Sequence, residues 1–200
     1  MKIDMKRLID VTGAGIGLLL LLPVFVLIAV AVAIDTKGPI FFKQQRVGLN
    51  MRDFHLLKFR TMCVHQATSC LLTIGNKDQR ITRVGYWLRK YKLDELPQLF
   101  NVLRGEMSLV GPRPEVRKYV NLYDEQQRYV LSIKPGITDW ASVEFYNESE
   151  LLAHAEDPEN YYIRRIIPVK ISQNLKYIAK HNLSTDFKII WLTLSKMMLS

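Results

Sequence analysis

The chain has 200 residues and a formal net charge of +9, long enough for one domain with a sizeable core and too short for a second of ordinary size. That charge implies an anionic partner, but nucleic acid, an anionic membrane surface and a phosphorylated substrate all satisfy it. Cys63 and Cys70 have no second Cys or His pair at zinc-ligand spacing, and His55, His65, His154 and His181 are scattered; the cysteines read as free thiols of a reducing compartment and no histidine is assigned to a metal.

Lys2, Lys6 and Arg7 lead into residues 11–34, an uncharged run rich in Leu, Val, Ile and Ala that reads as a membrane segment. It is longer than the apolar region of a signal peptide and no convincing small-residue cleavage site follows. A straight helix of this length reaches about 36 Å, enough for a hydrocarbon core of roughly 30 Å. Pro23 sits mid-run and predicts a kink, and each arm alone covers only about 16–18 Å. The flanking cations match, with Lys37, Lys43 and Arg46 on the far side, as in a re-entrant hairpin with both ends cytoplasmic. On pattern alone a simple span and a re-entrant hairpin both stay open.

Residues 39–48 and 53–62 read as short strands, the second with Phe54, Leu56 or Leu57 and Phe59 as core candidates. Lys58 and Arg60 would then share a strand face, which for alternating cations is ordinarily a solvated one. Residues 63–76 suggest a helix running into a loop. Ile81, Val84, Trp87, Leu88 and Tyr91 are spaced as the apolar face of a helix whose other face is Arg80, Arg83, Arg89, Lys90 and Lys92.

Then come Asp94 and Glu95, two acids in a basic neighbourhood that has no other between Asp78 and Glu106. The surrounding charge should keep both ionised at neutral pH. Pro97 and Gly105 suit a helix of about residues 95–103, with the acids at its N-terminus, where anions, including phosphate, are favoured. The plainer reading is an N-cap, Asp94, followed by a first-turn charge. Pro112 and Pro114 fix the backbone on either side of Arg113, lowering the entropy lost in presenting a guanidinium to a phosphate. Residues 115–131 read as a polar helix, 134–138 as a turn, 144–160 as an acidic loop ending in a helix start at Asp157, and 161–181 as a helix interrupted by Pro168. In a last helix from Ser184, the stripe Phe187, Ile190, Trp191, Leu194 and Met198 suits a core, or a membrane interface with Lys188 and Lys196 at its edge.

Taken together, Lys58-Phe59-Arg60-Thr61-Met62, Ile81-Thr82-Arg83-Val84-Gly85, Leu93-Asp94-Glu95-Leu96-Pro97-Gln98-Leu99, Met107-Ser108-Leu109-Val110-Gly111-Pro112-Arg113-Pro114 and Lys134-Pro135-Gly136-Ile137-Thr138 resemble the bacterial sugar transferases, the monotopic phosphoglycosyl transferases of glycoconjugate assembly. The resemblance covers nearly the whole chain. It implies transfer of a sugar 1-phosphate from a UDP-sugar to a polyprenol phosphate such as undecaprenyl phosphate at the cytoplasmic face of a bacterial inner membrane, with release of UMP. By that resemblance Asp94 is the nucleophile, Glu95 and Asp94 hold Mg²⁺, and Arg113, flanked by Pro112 and Pro114, contacts the diphosphate or nucleotide. Lys58, Arg60, Arg83 and Arg89 would offset the repulsion between anions.

The chain departs from the family pattern at Leu22, where Ser often precedes the membrane proline, and at Asp139-Trp140-Ala141-Ser142-Val143-Glu144-Phe145, where Gly-Trp-Ala-Gln-Val-Asn-Gly is the commonest form. The second departure leaves the donor sugar open. Without the extra membrane helices of larger relatives the chain reads as a minimal catalytic unit. The expected fold is α/β, mostly helical with a short sheet: a re-entrant membrane hairpin over residues 1–36, broken at Pro23, and a cytosolic catalytic domain over 37–200 with amphipathic interfacial helices on the membrane lipid. The competing reading is a membrane-tethered basic module that binds anionic lipid or nucleic acid without catalysis, although no nucleic-acid motif is present.

Overall fold

The uncharged run forms part of a single helix, α1 (Met5–Asp35), in the computed structural model, which describes residues 5–63 and 78–199. Lys2, His65, Cys70 and the helix expected beyond Cys63 lie outside the described residues. The expected break into two arms is not found, because the helix continues through Pro23. Proline removes one N–H and crowds the carbonyl four residues back, a local loss. Leu18, Leu21, Val24, Phe25 and Ile28, on both sides of it, pack against Phe59, Leu88, Leu93 and Leu96 and hold the helix on course.

Both ends of α1 are fastened to the rest of the chain. At the amino end Lys6 pairs with Asp186 at 2.5 Å, Arg7 donates to the carbonyls of Val102 and Leu103 at 2.8 and 3.2 Å, and Asp10 accepts from Ser108 Oγ and the Leu109 N–H at 2.7 and 2.9 Å. At the carboxyl end Asp35 accepts from the Val84 N–H at 3.1 Å. There Arg60 donates to the carbonyls of Val32, Thr36 and Pro39 at 3.3, 2.7 and 2.6 Å, a cation on the carbonyl end of a helix dipole. The face of α1 carrying Leu19, Leu20, Val26, Leu27 and Val30 is exposed, and the helix is long and apolar enough to cross a membrane.

Strands β1 (Phe41–Val47) and β2 (Asp53–Phe59) pair antiparallel, Phe41 opposite Phe59 and Val47 opposite Asp53. β2 stops three residues short of its expected end. Helix α2 (Arg83–Lys90) is capped by Thr82, whose Oγ accepts from the Gly85 N–H at 2.9 Å. A 3-10 turn, Leu93–Glu95, leads into α3 (Gln98–Arg104), which ends at Gly105 with φ of 83°, a left-handed position that glycine adopts without strain. α3 docks on β2 through buried Asn101, which accepts from the Leu57 N–H at 3.0 Å and donates to the His55 carbonyl at 2.8 Å.

Strand β3 (Ser108–Val110) pairs in parallel with β4 (Gly136–Thr138). The contact is so close that a Cβ on Gly136 would stand 2.1 Å from the Gly111 nitrogen, so no side chain fits there.

The polar helix expected over residues 115–131 is instead α4 (Arg117–Val120), α5 (Glu125–Arg128), which starts at a reciprocal Asp124–Gln127 cap, and a 3-10 turn. A new helix start at Asp124 breaks the run. After α6 (Trp140–Glu144), the acidic stretch read as loop contains α7 (Glu148–Ala153). Then α8 (Pro158–Tyr161) passes through a wide π turn, Tyr162–Ile166, into α9 (Ile167–Lys180). The wide turn falls where Pro168 would otherwise crowd the carbonyl of Arg164. In α10 (Leu183–Leu199) Ile189 is fully buried and Ile190 packs on the core, while Phe187, Trp191, Leu194 and Met198 are exposed. Of the two readings left open for this stripe, the core one fails for most of it, which is largely a surface.

Candidate active site

Lys92, with φ of 54°, turns the chain sharply at the end of α2, so that the next residues face β2 and the loop after β3. The two acids are not the opening of α3, which begins after Pro97, and Asp94 caps nothing; both lie in the preceding 3-10 turn. That turn gives the neighbours different surroundings.

The side chain of Glu95, 11% exposed, is held by two cations. Lys58 Nζ donates to Oε1 at 2.8 Å and Arg113 Nη1 to Oε2 at 3.0 Å, while Arg113 Nη2 also reaches Oε1. Burial would raise this carboxyl, but Arg113 and Lys58 outweigh it and hold Glu95 well below the usual carboxylate range. The same pair raises Arg113 above the ordinary value of a guanidinium.

Asp94 is 6% exposed, and among the described residues no group donates a hydrogen bond to its carboxylate. Burial raises it and the adjacent Glu95 adds to the rise, while Lys58, Arg89 and Lys92 pull the other way without cancelling it. The expectation that basic surroundings act alike on both acids thus meets a difference: burial dominates at Asp94 and paired cations at Glu95. Burial also lowers Lys92, whose ammonium lies over the Tyr146 ring at 5.0 Å.

The loop carrying Arg113 is tied at successive backbone groups. The Gly136 N–H donates to the Pro112 carbonyl at 3.0 Å, the Arg113 N–H to Asp139 Oδ2 at 3.2 Å, Arg46 Nη1 to the Pro114 carbonyl at 3.0 Å and the Val47 N–H to the Glu115 carbonyl at 2.9 Å. Buried Tyr162 donates to the Glu115 carboxylate. Asp139 also caps α6, accepting from the Ser142 N–H at 2.6 Å.

The structure therefore brings Lys58, Asp94, Glu95 and Arg113 together, with Arg89 acting on Asp94 through its charge and Pro112 and Pro114 flanking Arg113. Arg60 does not join them. It lies just past the end of β2, and its guanidinium faces the last turn of α1. Arg83 is exposed in the first turn of α2, and among the described residues no hydrogen bond ties it to the cluster. Pro23 belongs to α1. Sequence reasoning missed Lys92 as a member of the site and Asp139, Arg46 and Tyr162 as its supports. Asp139 alone had a signal, an acid three residues before Ser142 at a helix start.

Among the described residues no three His, Cys, Asp or Glu side chains are grouped so as to hold a metal by themselves. Asp94 and Glu95 supply the oxygen donors that Mg²⁺ takes, and one or two carboxylates suffice when phosphate oxygens and water complete the shell. Both oxygens of Glu95 already accept from cations, whereas the Asp94 carboxylate would be open to such an ion.

A model of the family described as bacterial sugar transferase matches residues 1–200. The chain is 36% identical over 193 residues, 95% of its length and 43% of the relative's, to a UDP-N-acetylgalactosamine-undecaprenyl-phosphate N-acetylgalactosaminephosphotransferase of Aeromonas hydrophila. It is 40% identical over 164 residues, 80% of its length and 32% of the relative's, to a UDP-glucose:undecaprenyl-phosphate glucose-1-phosphate transferase of Xanthomonas campestris pv. campestris. The chain thus spans less than half of these two curated relatives. It is also 37% identical over 199 residues to the "Uncharacterized sugar transferase EpsL" of Bacillus subtilis (strain 168), covering 98% of this chain and 88% of that one.

Proposed function

The chain belongs to the bacterial sugar transferase family, and on that premise we propose that it transfers a sugar 1-phosphate from a UDP-sugar to undecaprenyl phosphate, with Asp94 as the nucleophile. Two relatives named for that kind of reaction support the substrates. The observation that carries the assignment of Asp94 is the contrast within the pair: Glu95 is fully engaged by Lys58 and Arg113, and its neighbour is buried with its carboxylate uncommitted.

An oxygen of Asp94 attacks the sugar-bearing phosphorus. The bond from that phosphorus to the bridging oxygen breaks, UMP leaves with that oxygen, and the sugar phosphate stays on Asp94 as an acyl phosphate. An oxygen of undecaprenyl phosphate then attacks the same phosphorus and the Asp94 carboxylate leaves. The bond between the anomeric carbon and its oxygen is never broken, so the sugar keeps its configuration. Burial that raises Asp94 makes it a stronger nucleophile once ionised. Both steps bring anions together, and Lys58, Arg89, Lys92 and Arg113 offset that repulsion from fixed positions. Mg²⁺, held by Asp94 or Glu95 together with the diphosphate, would add charge neutralisation of the same kind.

The acceptor is a lipid, and α1 with its exposed apolar face would bring the site to it. A span that left the domain wholly on one side would part the two ends of α1, whereas Lys6, Arg7 and Asp10 at one end and Asp35 at the other are bonded to the same body. This supports a helix that lies along the membrane surface with both ends on one side of it, the side we assign to the cytoplasm.

The test is to mix purified protein with UDP-sugars labelled in the sugar and with Mg²⁺, and to measure label kept on denatured protein. Retention is expected in the wild type, and neither Asp94→Asn nor a sample stripped with EDTA should retain label or release UMP in a single turnover. Full single-turnover activity in Asp94→Asn would overturn the covalent route. Absence of turnover with every UDP-sugar would favour a binding module.

A further inference from the structure

Against the inner side of the Arg113 loop lies a cavity of about 30 Å³. Its walls include Pro112 and Arg113 of the loop, Asp139 and Ser142 of α6 and its cap, and Lys170 and Asn174 of α9. The charges among them are already matched: Arg113 pairs with Glu95, Lys170 with Glu148, and Asp139 accepts from two backbone N–H groups. Two fully buried neutral atoms are not. Ser142 Oγ and Asn174 Oδ1 are buried and have no hydrogen-bond partner among the described residues, and Asn174 as a whole is only 5% exposed.

A buried polar atom without a partner costs stability, and such atoms in native proteins call for an explanation. Here both belong to residues that line the same cavity, and their abilities are complementary. Asn174 Oδ1 accepts a hydrogen bond, and the Ser142 hydroxyl can donate or accept. The volume exceeds the roughly 10–15 Å³ that one water-sized group requires and is far below that of a nucleobase or a whole sugar ring. The matched charges leave nothing to attract an anion.

We propose that Ser142 and Asn174 form a subsite for one uncharged hydroxyl group beside Arg113. The hydroxyl has two sources, a substituent of the donor sugar or an ordered water that braces the loop. The first rests on the function proposed above, since Arg113 would there hold the diphosphate to which the sugar is attached; the second does not.

The experiment uses the full chain with Ser142→Ala and Asn174→Leu. UMP release is measured with UDP-glucose, UDP-galactose and UDP-N-acetylgalactosamine, and the thermal unfolding midpoint of Ser142→Ala is measured without donor. If a sugar hydroxyl occupies the subsite, kcat/KM ratios between donors change by about tenfold or more in at least one variant, as loss of a hydroxyl contact does. If a water occupies it, donor ratios hold within about twofold and the midpoint of Ser142→Ala falls. Unchanged ratios with an unchanged or higher midpoint would overturn the subsite, because removing a hydroxyl that binds nothing relieves a cost. Should the wild type release no UMP from any donor, the proposed function fails, and the midpoint alone still decides the subsite.

Discussion

Arg113 grips both carboxylate oxygens of Glu95, a planar two-point pairing that an ammonium cannot reproduce. Arg113→Lys should therefore keep the fold and the charge yet lower kcat/KM for a UDP-sugar by about a hundredfold, the scale of losing one fixed donor at developing charge. A loss of less than about threefold would place Arg113 outside the reaction.

For activity against pH, the direction follows from Asp94. The carboxylate must be ionised to attack, and burial, reinforced by Glu95, holds it above the ordinary value of an aspartate. The acid limb of kcat/KM should thus lie higher than for an exposed aspartate near 3.9. Arg89 pulls Asp94 down, so Arg89→Gln should move that limb to still higher pH. A shift toward lower pH would contradict the charge assignment.

Stability against pH runs the other way at Glu95. Its value is depressed in the folded state by Arg113 and Lys58 against the opposing effect of burial. Its contribution is therefore present above the unfolded value of about 4.3 and is lost as pH falls through the lower folded one. At pH 7, Glu95→Gln leaves Lys58 and Arg113 without their partner and should cost about 2–3 kcal/mol, a drop of roughly 5–10 °C in unfolding midpoint. The gap between variant and wild type should narrow below about pH 4, which thermal scans at stepped pH would measure. A gap that widens on acidification would rule out a depressed Glu95.

The two tethered ends of α1 carry a prediction about sidedness. Cysteines placed at Met5 and at exposed Lys118 should react with an impermeant maleimide from the same side of sealed vesicles. Labelling from opposite sides would mean a helix that crosses the bilayer and parts from its contacts with Asp186 and Ser108.

Much of the site could be read from residue order because its chemistry is locally concentrated. Asp94 and Glu95 stand out against the cations around them, and two prolines single out Arg113. What could not be read depends on partners far along the chain. Lys58 and Arg60 look alike on a strand, but the strand stops at Phe59, so one cation meets Glu95 and the other the end of α1. Pro23 marks a break in an isolated helix, and only packing by residues distant in sequence keeps α1 continuous. The stripe of α10 has a periodicity that suits a core and a membrane interface alike, and only the packing shows Trp191 68% exposed. The contrast between Asp94 and Glu95 was hidden for the same reason, since adjacent residues of one charge are told apart only by what folds over them.

Strand β3 joins α1 to the loop that carries Arg113. Its first residue, Ser108, is bonded to Asp10 of α1, and its pairing with β4 carries the chain directly to Gly111 and Arg113. With α1 as the proposed anchor, these few extended residues, at about 3.3 Å each, act as a depth gauge. They would set how far above the lipid surface the guanidinium stands, and so the height at which the proposed lipid phosphate and a phosphate arriving from solution would meet.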